Sequence, residues 1–299
     1  MFLWRGRNYI YMIPNPSVFI KNFSPLNDTD LYIQIVDESG KKGLKDILKR
    51  VYLMFSANPN DIELEKIWRM GIITTEKFIK YLRNKFSDDH LRCFEYVFEA
   101  ECLNLKKIKK QVIVDMGGGF SYSTIVPAFF RFSNSRILSV DVLDYPRKSK
   151  FGINYVTGDC MNTRLRSSFA DVVTLISTLE HVGLGRYGDP FDPSGDIKAM
   201  KEAKRILKKG GYLILTIPYG YPTVVYNIHR VYDEGRFKLL AKGFKPVRLE
   251  YTLLGKKCRR KDIEGKKVNK NISGYYNDVP ENKRIYDAQG GILALLQKI

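Results

Sequence analysis

A run of strand-forming residues, Val112-Ile113-Val114, carries Asp115 and Met116 into three successive glycines, Gly117-Gly118-Gly119. Glycine lets a backbone adopt positive φ and approach a ligand closely. A helix that starts just beyond such a turn offers unsatisfied N–H groups. Asp115 narrows the choice of ligand, because a pyrophosphate here would meet like charge. A cation is better suited, such as an amino-acid ammonium or a sulfonium. Two more carboxylates end the next strand patterns. Asp141, followed by Val142, closes Ser139-Val140-Asp141, the place that takes ribose hydroxyls in dinucleotide folds. Asp159, followed by Cys160, comes after a third strand pattern, where a carboxylate accepts from an exocyclic adenine amine. The alternative is a plain strand-to-helix turn with solvated loop charges, but three acidic strand ends in order favour a nucleoside-bearing cation. A nicotinamide cofactor would more usually be met by G-x-G-x-x-G, whose last position here is Tyr122.

These residues need a scaffold that brings strand ends to one edge. Strand patterns at Val112–Met116, Arg136–Val140, Asn154–Thr157, Asp171–Ser177 and Tyr212–Ile217 are joined by two more, Val247–Leu253 and Ile292–Gln297. Helix patterns fall at Ser121–Phe132, Ser194–Lys208 and Asp233–Lys242. The second helix carries Ile197, Met200, Ala203 and Leu207 on one face and is expected to stop at Gly210-Gly211. Strands spaced by helices indicate a doubly wound, mostly parallel α/β sheet. The last two strands have no helix pattern between them and are expected to pair antiparallel, joined by an insertion at about 255–290.

Upstream the periodicity is helical. Leu44, Ile47, Leu48, Val51, Tyr52 and Phe55 form one apolar stripe; Phe78, Ile79, Leu82 and Phe86 form a second. Leu91, Phe94, Phe98, Cys102 and Leu105 form a third, with Ser87 or Asp88 placed to cap it. The chain therefore divides into a mainly helical extension, 1–110, and an α/β domain, 111–299. Residues 1–40, rich in Tyr, Asn and Pro, suggest no element.

This combination resembles the class I S-adenosylmethionine (SAM)-dependent methyltransferases over about residues 110–299. The resemblance rests on Asp115–Gly119, Asp141, Gly158-Asp159, the run Phe169-Ala170-Asp171-Val172-Val173 leading to Leu179-Glu180-His181-Val182, and Ile206–Gly211 leading to Leu213–Pro218. Ser121 stands where a third glycine is frequent. The resemblance implies a Rossmann-like sheet of seven strands, mostly parallel with a C-terminal antiparallel hairpin, and SAM as cofactor. It implies that Asp115, Met116, Gly117, Gly118 and Gly119 hold the methionine part, Asp141 and Val142 the ribose, and Asp159 and Cys160 the adenine, with Ser177 beside them. A narrower block, Glu180 to Asp196, is similar to a subfamily known mainly as a domain of unknown function in bacterial and animal proteins. Some of its members belong to polysaccharide or surface-glycan contexts.

With a sulfonium the electrophile is already charged, so the protein has to align the acceptor and exclude water. A base is needed only for an unactivated hydroxyl or a protonated amine. Glu180-His181, after the fourth strand, either orients the cofactor or supplies that base. His229-Arg230, after the fifth, offers a second base and a guanidinium suited to a phosphate or carboxylate, or else anchors its own loop. Gly185–Pro190 and Asp192–Asp196 form a Gly/Pro/Asp-rich candidate lid. Its Asp189, Asp192 and Asp196 also invite a divalent-cation reading, although Asp196 is equally suited to a first helical turn; no metal site is expected. Ile176-Ser177-Thr178 is not an Asn-Pro-Pro-Tyr-like amine clamp, and no Pro-Cys pair is present. Exocyclic-amine and cysteine-dependent C5 methylation of bases are thereby disfavoured.

Fifty Lys and Arg against 32 Asp and Glu give the 299-residue chain a net charge of +18. Eight of these cations, Lys256, Lys257, Arg259, Arg260, Lys261, Lys266, Lys267 and Lys270, crowd the insertion, followed by Tyr275 and Tyr276. An anionic partner is one reading, whether a phosphate-bearing sugar or RNA; a solvated loop is the other. Four scattered cysteines (Cys93, Cys102, Cys160, Cys258) exclude a disulfide scaffold or a C-x-x-C zinc site, and three histidines a His-rich metal site. The first twenty residues are broken by Arg5, Arg7, Pro14 and Pro16, so neither a targeting segment nor a membrane span is expected and a cytoplasmic location is the default. The expected activity is methyl transfer from SAM to a small-molecule or glycan acceptor, at oxygen. The alternatives are RNA methylation through the basic insertion and N-terminal extension, and SAM binding without catalysis.

Overall fold

β-Branched residues fill the central strand of the main sheet, β3 (Val112–Met116), which pairs in parallel with β4 (Arg136–Asp141) on one side and β6 (Ala170–Ile176) on the other. This computed structural model describes residues 2–6, 9–13, 58–87, 91–105, 111–119, 121–130, 136–144, 149, 151–220, 222–225, 229–253, 256–260, 263 and 290–299. The helix expected over 41–55 and most of the basic insertion lie outside them.

The sheet continues outward from β4 to β5 (Ile153–Thr157), and from β6 to β7 (Leu207–Tyr219), all in parallel. Beyond β7 lie β12 (Gly290–Lys298) and β10 (Phe244–Leu253), each antiparallel to its neighbour. The expected mostly parallel sheet with a C-terminal hairpin is thus present, but with eight strands rather than seven. The extra edge strand is β11 (Lys256–Cys258), antiparallel to β10 with Leu253 opposite Lys256. The first residues of the insertion turn back onto the sheet edge, where β10 still has unpaired backbone groups. Two small hairpins stand apart, β1 (Phe2–Gly6) with β2 (Tyr9–Ile13) and β8 (Thr223–Val225) with β9 (His229–Val231).

Alternation along the strands gives the sheet two apolar faces. Ile113, Ile137, Val172, Ile214, Leu293 and Leu295 lie under helices α1 (Pro59–Arg69), α2 (Thr75–Lys85), α3 (Arg92–Leu105) and α4 (Tyr122–Phe129). Val114, Met116, Val140, Val173, Leu213 and Leu215 lie under α5 (Gly195–Ile206) and α6 (Glu234–Leu240). The N-terminal helices therefore share a core with the sheet. Phe78 of α2 stacks on Phe129 of α4 at 3.8 Å. Helix α5 ends at Ile206 instead of Lys208, because Leu207 is already extended and pairs with Ala170. Gly210-Gly211 consequently falls inside β7, where Gly211 packs against the backbone of Asp171.

Strand order reverses between β3 and β6, and the carboxyl ends of these two strands form the crevice where open α/β sheets bind ligands. Phe78→Ala, which empties the α2–α4 contact, is expected to cost about 3–5 kcal/mol. It should shift a single unfolding transition followed by circular dichroism; a separate early transition of the helices would contradict the shared core.

Candidate functional site

The glycine turn after β3 is fixed by contacts that leave no room for side chains. Gly117 has φ +82°, and a Cβ there would fall 2.2 Å from Thr178 Cγ2. A Cβ at Gly118 would fall 1.5 Å from Asp115 Oδ2. The Asp115 carboxylate is thus tucked beneath the turn, fully buried. Its Oδ2 accepts from Thr124 Oγ1 at 2.5 Å and Ser123 Oγ at 3.1 Å, and its Oδ1 from Thr174 Oγ1 at 2.9 Å. Burial nonetheless pushes its pKa up to about 6 against those hydroxyls. The carbonyl of Gly119 accepts from Asn60 Nδ2 of α1 at 3.1 Å, and the same amide donates to Tyr155 Oη at 2.9 Å. Asn60 and its latch onto the turn carried no motif in the sequence.

Along the same edge, Asp141 stands at the end of β4, opposite Thr157 of β5. Its Oδ1 accepts from the Leu143 N–H at 3.0 Å, and burial raises its pKa to about 6. Asp159 follows β5 and accepts from the Met161 N–H at 2.8 Å. Cys160 is buried, its thiol pushed up by burial and by the nearby carboxylates of Asp141, Asp159, Asp115 and Asp189. Thus the three acidic strand ends and the glycine turn meet on one edge. Val142 is half-buried beside Asp141, and Met116 is buried in the core beneath the turn. Ser177, at φ +46°, spends its hydroxyl on Glu95 of α3.

The residues after β6 and β7 also converge. Glu180 is buried in a short 3-10 turn, Leu179–His181, and its Oε2 has no hydrogen-bond partner among the described residues. Burial, reinforced by the nearby Glu95, lifts its pKa to about 8. His181 Nε2 lies 3.8 Å from Glu180 Oε1. Its ring meets Tyr187 edge-on at 5.6 Å and His229 at 6.5 Å. Tyr187, half-buried, lies in the Gly185–Pro190 segment that the sequence offered only as a candidate lid. Burial and the Arg186 guanidinium depress the His229 imidazole to about 4.

Arg230 does not reach outward for an anion. Buried to 4 % exposure, its guanidinium donates to the carbonyl of Val182 at 2.6 Å, with Glu180, Asp192 and Pro193 carbonyls at 3.4 Å. Of the two roles the sequence left open, these contacts match loop anchoring rather than a phosphate or carboxylate clamp: burial has already committed the donors to backbone. The loop is knotted from within as well. Asp189 Oδ2 accepts from the Gly183 N–H at 2.6 Å, and Asp189 Oδ1 from the Tyr187 N–H at 3.2 Å. Asp192 takes Ser194 and Lys198, and Asp196 takes Arg236 of α6 bidentately, accepting from Nη2 at Oδ1 (2.7 Å) and from Nε at Oδ2 (3.1 Å). Among the described residues no group of three or more His, Cys, Asp or Glu side chains is arranged to hold a metal ion. No described helix is long and apolar enough to cross a membrane.

Residues 148–277 match the family model described as Caenorhabditis protein of unknown function, DUF268, a span that includes Glu180 to Asp196. No curated protein sequence matches the chain. Among solved structures, the chain is similar to Burkholderia thailandensis 1,6-didemethyltoxoflavin-N1-methyltransferase with bound 1,6-didemethyltoxoflavin and S-adenosylhomocysteine. The identity is 14 %, the TM-score 0.45, and the match covers 77 % of this chain and 89 % of that one. It is also similar to the N-methyltransferase NodS from Bradyrhizobium japonicum in complex with S-adenosylhomocysteine, at 14 % identity and TM-score 0.42, covering 73 % and 97 %. A SAM-dependent methyltransferase from Methanosarcina mazei matches at 13 % identity and TM-score 0.42, covering 66 % and 97 %.

The buried Glu180 makes stability depend on pH. Its raised pKa means the folded chain keeps a proton that the unfolded chain has lost, so its contribution is fully present at low pH and disappears as pH rises toward 8. Asp115 and Asp141 act the same way below about pH 6, where the depressed His229 opposes them. The urea midpoint should therefore fall between pH 6.5 and 8.5. Glu180→Gln should flatten that fall, and an equal slope in the variant would refute the assignment.

Proposed function

We propose that this chain is an enzyme that transfers a methyl group from SAM to a small-molecule or glycan-type acceptor, at oxygen. The observation that carries the reading is the single edge on which the glycine turn, Asp141 and Asp159 converge at the reversal of strand order. In this reading the backbone of Gly117–Gly119 receives the amino-acid end of the cofactor. Asp115 sustains the negative field beneath it without direct contact, since its oxygens are engaged by hydroxyls. Asp141 accepts from the ribose hydroxyls, while Asp159 and the adjoining Cys160 backbone take the adenine. Met116, Val142 and Ser177 shape the floor and wall. When bound, SAM supplies an electrophilic methyl on a positively charged sulfur.

The acceptor side is assigned to Glu180, His181, Tyr187 and His229. His181, at the rim beside Glu180, takes the proton from the acceptor hydroxyl. His229, depressed to about 4, is too weak a base for that task and serves as a neutral hydrogen-bonding wall. Arg230 positions this group by holding the loop that carries Tyr187. The knotted loop supports a small acceptor over a polynucleotide. So do two of the insertion's cations: Lys257 pairs with Glu250 at 2.7 Å and Arg260 with Glu234 at 2.9 Å.

Titration calorimetry with SAM tests the cofactor reading. Asp141→Ala should weaken binding by about ten- to a hundredfold, the loss of charged hydrogen bonds worth about 1.5–3 kcal/mol. Undiminished affinity would remove Asp141 from the site. A radiolabelled-methyl assay on fractionated cell extract tests the acceptor class; label entering RNA rather than glycans or small molecules would overturn it. With the acceptor found, His181→Ala should abolish turnover at unchanged SAM affinity, whereas His229→Ala should chiefly raise KM.

A further inference from the structure

Three successive glycines are costly to hold still, because glycine loses more backbone freedom on ordering than any other residue. Two of those in the turn after β3 are held by what lies against them. Gly117 donates its N–H to the Val140 carbonyl at 2.6 Å and packs on Thr178, and Gly118 sits on the Asp115 carboxylate. Gly119, at φ +49°, is held through its carbonyl. Two donors lie within reach of that oxygen, Asn60 Nδ2 and Thr124 Oγ1, each at 3.1 Å. The Thr124 hydroxyl has one proton, and the Asp115 Oδ2 that draws it stands closer, at 2.5 Å. The Gly119 carbonyl is therefore left to the Asn60 amide.

Asn60 is well placed to donate there. It is 1 % exposed in the first turn of α1. Its own side chain is not needed as a cap, because Asn58 Oδ1 already accepts from the N–H groups of Asn60 at 3.0 Å and Asp61 at 3.3 Å. The partners settle which way the Asn60 amide points. A carbonyl can only accept, and Tyr155 Oη, 2.9 Å from the same nitrogen, gives its own proton to Asn58 Oδ1 at 3.2 Å. Both amide hydrogens are thus committed, one to the turn and one to β5.

One turn further along α1, on the same face, Glu63 accepts from the hydroxyls of Tyr122 and of Tyr81, the latter at 2.7 Å. Tyr122 is the first residue of α4. Helix α1 therefore grips the chain at Gly119, where the turn ends, and again where the next helix begins. Behind these contacts Leu64 and Ile67 of α1 are fully buried. The helix belongs to the N-terminal extension, yet it holds the turn that the proposed function gives to the amino-acid end of the cofactor.

We propose that Asn60 is a positioning residue for the cofactor: its hydrogen bond to the Gly119 carbonyl presets the glycine turn in the shape that receives the amino-acid end of SAM. A turn ordered in advance spares the ligand the entropy of ordering it, and the saving appears as affinity. The N-terminal extension is thereby part of the cofactor site as well as a support for the sheet. This inference rests on the SAM reading of the turn and names the residue that prepares it.

The test compares two ligands that share an adenosyl thioether and differ in the amino-acid end. S-adenosylhomocysteine and 5′-methylthioadenosine, which lacks that end, are titrated by calorimetry into the whole chain. Asn60→Ala should weaken S-adenosylhomocysteine by about three- to tenfold, the worth of one buried hydrogen bond, and leave 5′-methylthioadenosine unchanged. Tyr155→Phe cuts the other bond of the same amide and leaves the turn contact in place. It should lower the urea midpoint as Asn60→Ala does, but keep the ratio of the two affinities at its wild-type value. If Asn60→Ala does not fold, wild-type protein alone decides. Coupling is reciprocal, so saturating S-adenosylhomocysteine should slow amide exchange in the first turns of α1 by the same factor, and 5′-methylthioadenosine should not. Equal weakening of both ligands, weakening of neither, or the same protection of α1 by both or by neither would overturn the proposal while leaving the cofactor reading intact. Failure of wild-type protein to bind S-adenosylhomocysteine would overturn the cofactor reading and this proposal with it.

Discussion

The Asp115 carboxylate beneath Gly118 is the constraint around which the rest is built. A carboxylate buried this completely survives only if donors surround it. The chain supplies three, from two elements: Ser123 and Thr124 at the start of α4, and Thr174 in β6. Those donors set how closely α4 approaches the sheet and which residues of β6 stand beside β3. The carboxylate also dictates the glycine above it, since any side chain at 118 would overlap Oδ2. A strand, a helix start and a turn are thereby locked to one polar atom pair.

A second anchor holds the other half of the crevice. The Arg230 guanidinium, on β9, converges on carbonyls from two stretches of the loop between β6 and α5. A buried guanidinium is tolerable because it is a rigid fork of donors, and four carbonyls lie within its reach. Together with the Asp189 knot it makes the segment from Val182 to Pro193 a shaped wall rather than a free flap. The imidazoles of His181 and His229 then face each other although 48 residues separate them in the chain.

Much of the sheet could be read from the sequence, because Val112–Met116 and its counterparts are short β-branched runs punctuated by glycine or by an acidic residue. The glycine turn and the three acidic strand ends were legible for the same reason: each lies at a break in pattern. What stayed hidden were contacts made by residues that fit their local pattern in another way. Glu95 and Glu99 look like the solvent side of an amphipathic helix, and nothing local says that α3 is covered on more than one side. Arg230 looks like a ligand-binding cation because a sequence does not show how many carbonyls will surround it. Gly210-Gly211 has the composition of a helix stop, but the demand of Ala170 for a strand partner at Leu207 ends the helix earlier. The eighth strand, β11, was concealed by its lysines, which sit comfortably on an edge strand.

The latch of Asn60 onto the glycine turn has a consequence for how the molecule comes together. Its amide bridges Gly119, 59 residues downstream, and Tyr155, 95 residues downstream, while Glu95 waits for Thr216, 121 residues on. Local helices in the N-terminal half can form early in synthesis, but none of these bonds exists until the partner strands have been made. Loop closure over such spans is slow compared with helix formation. The crevice is therefore a late product of folding, completed only once β7 takes its place.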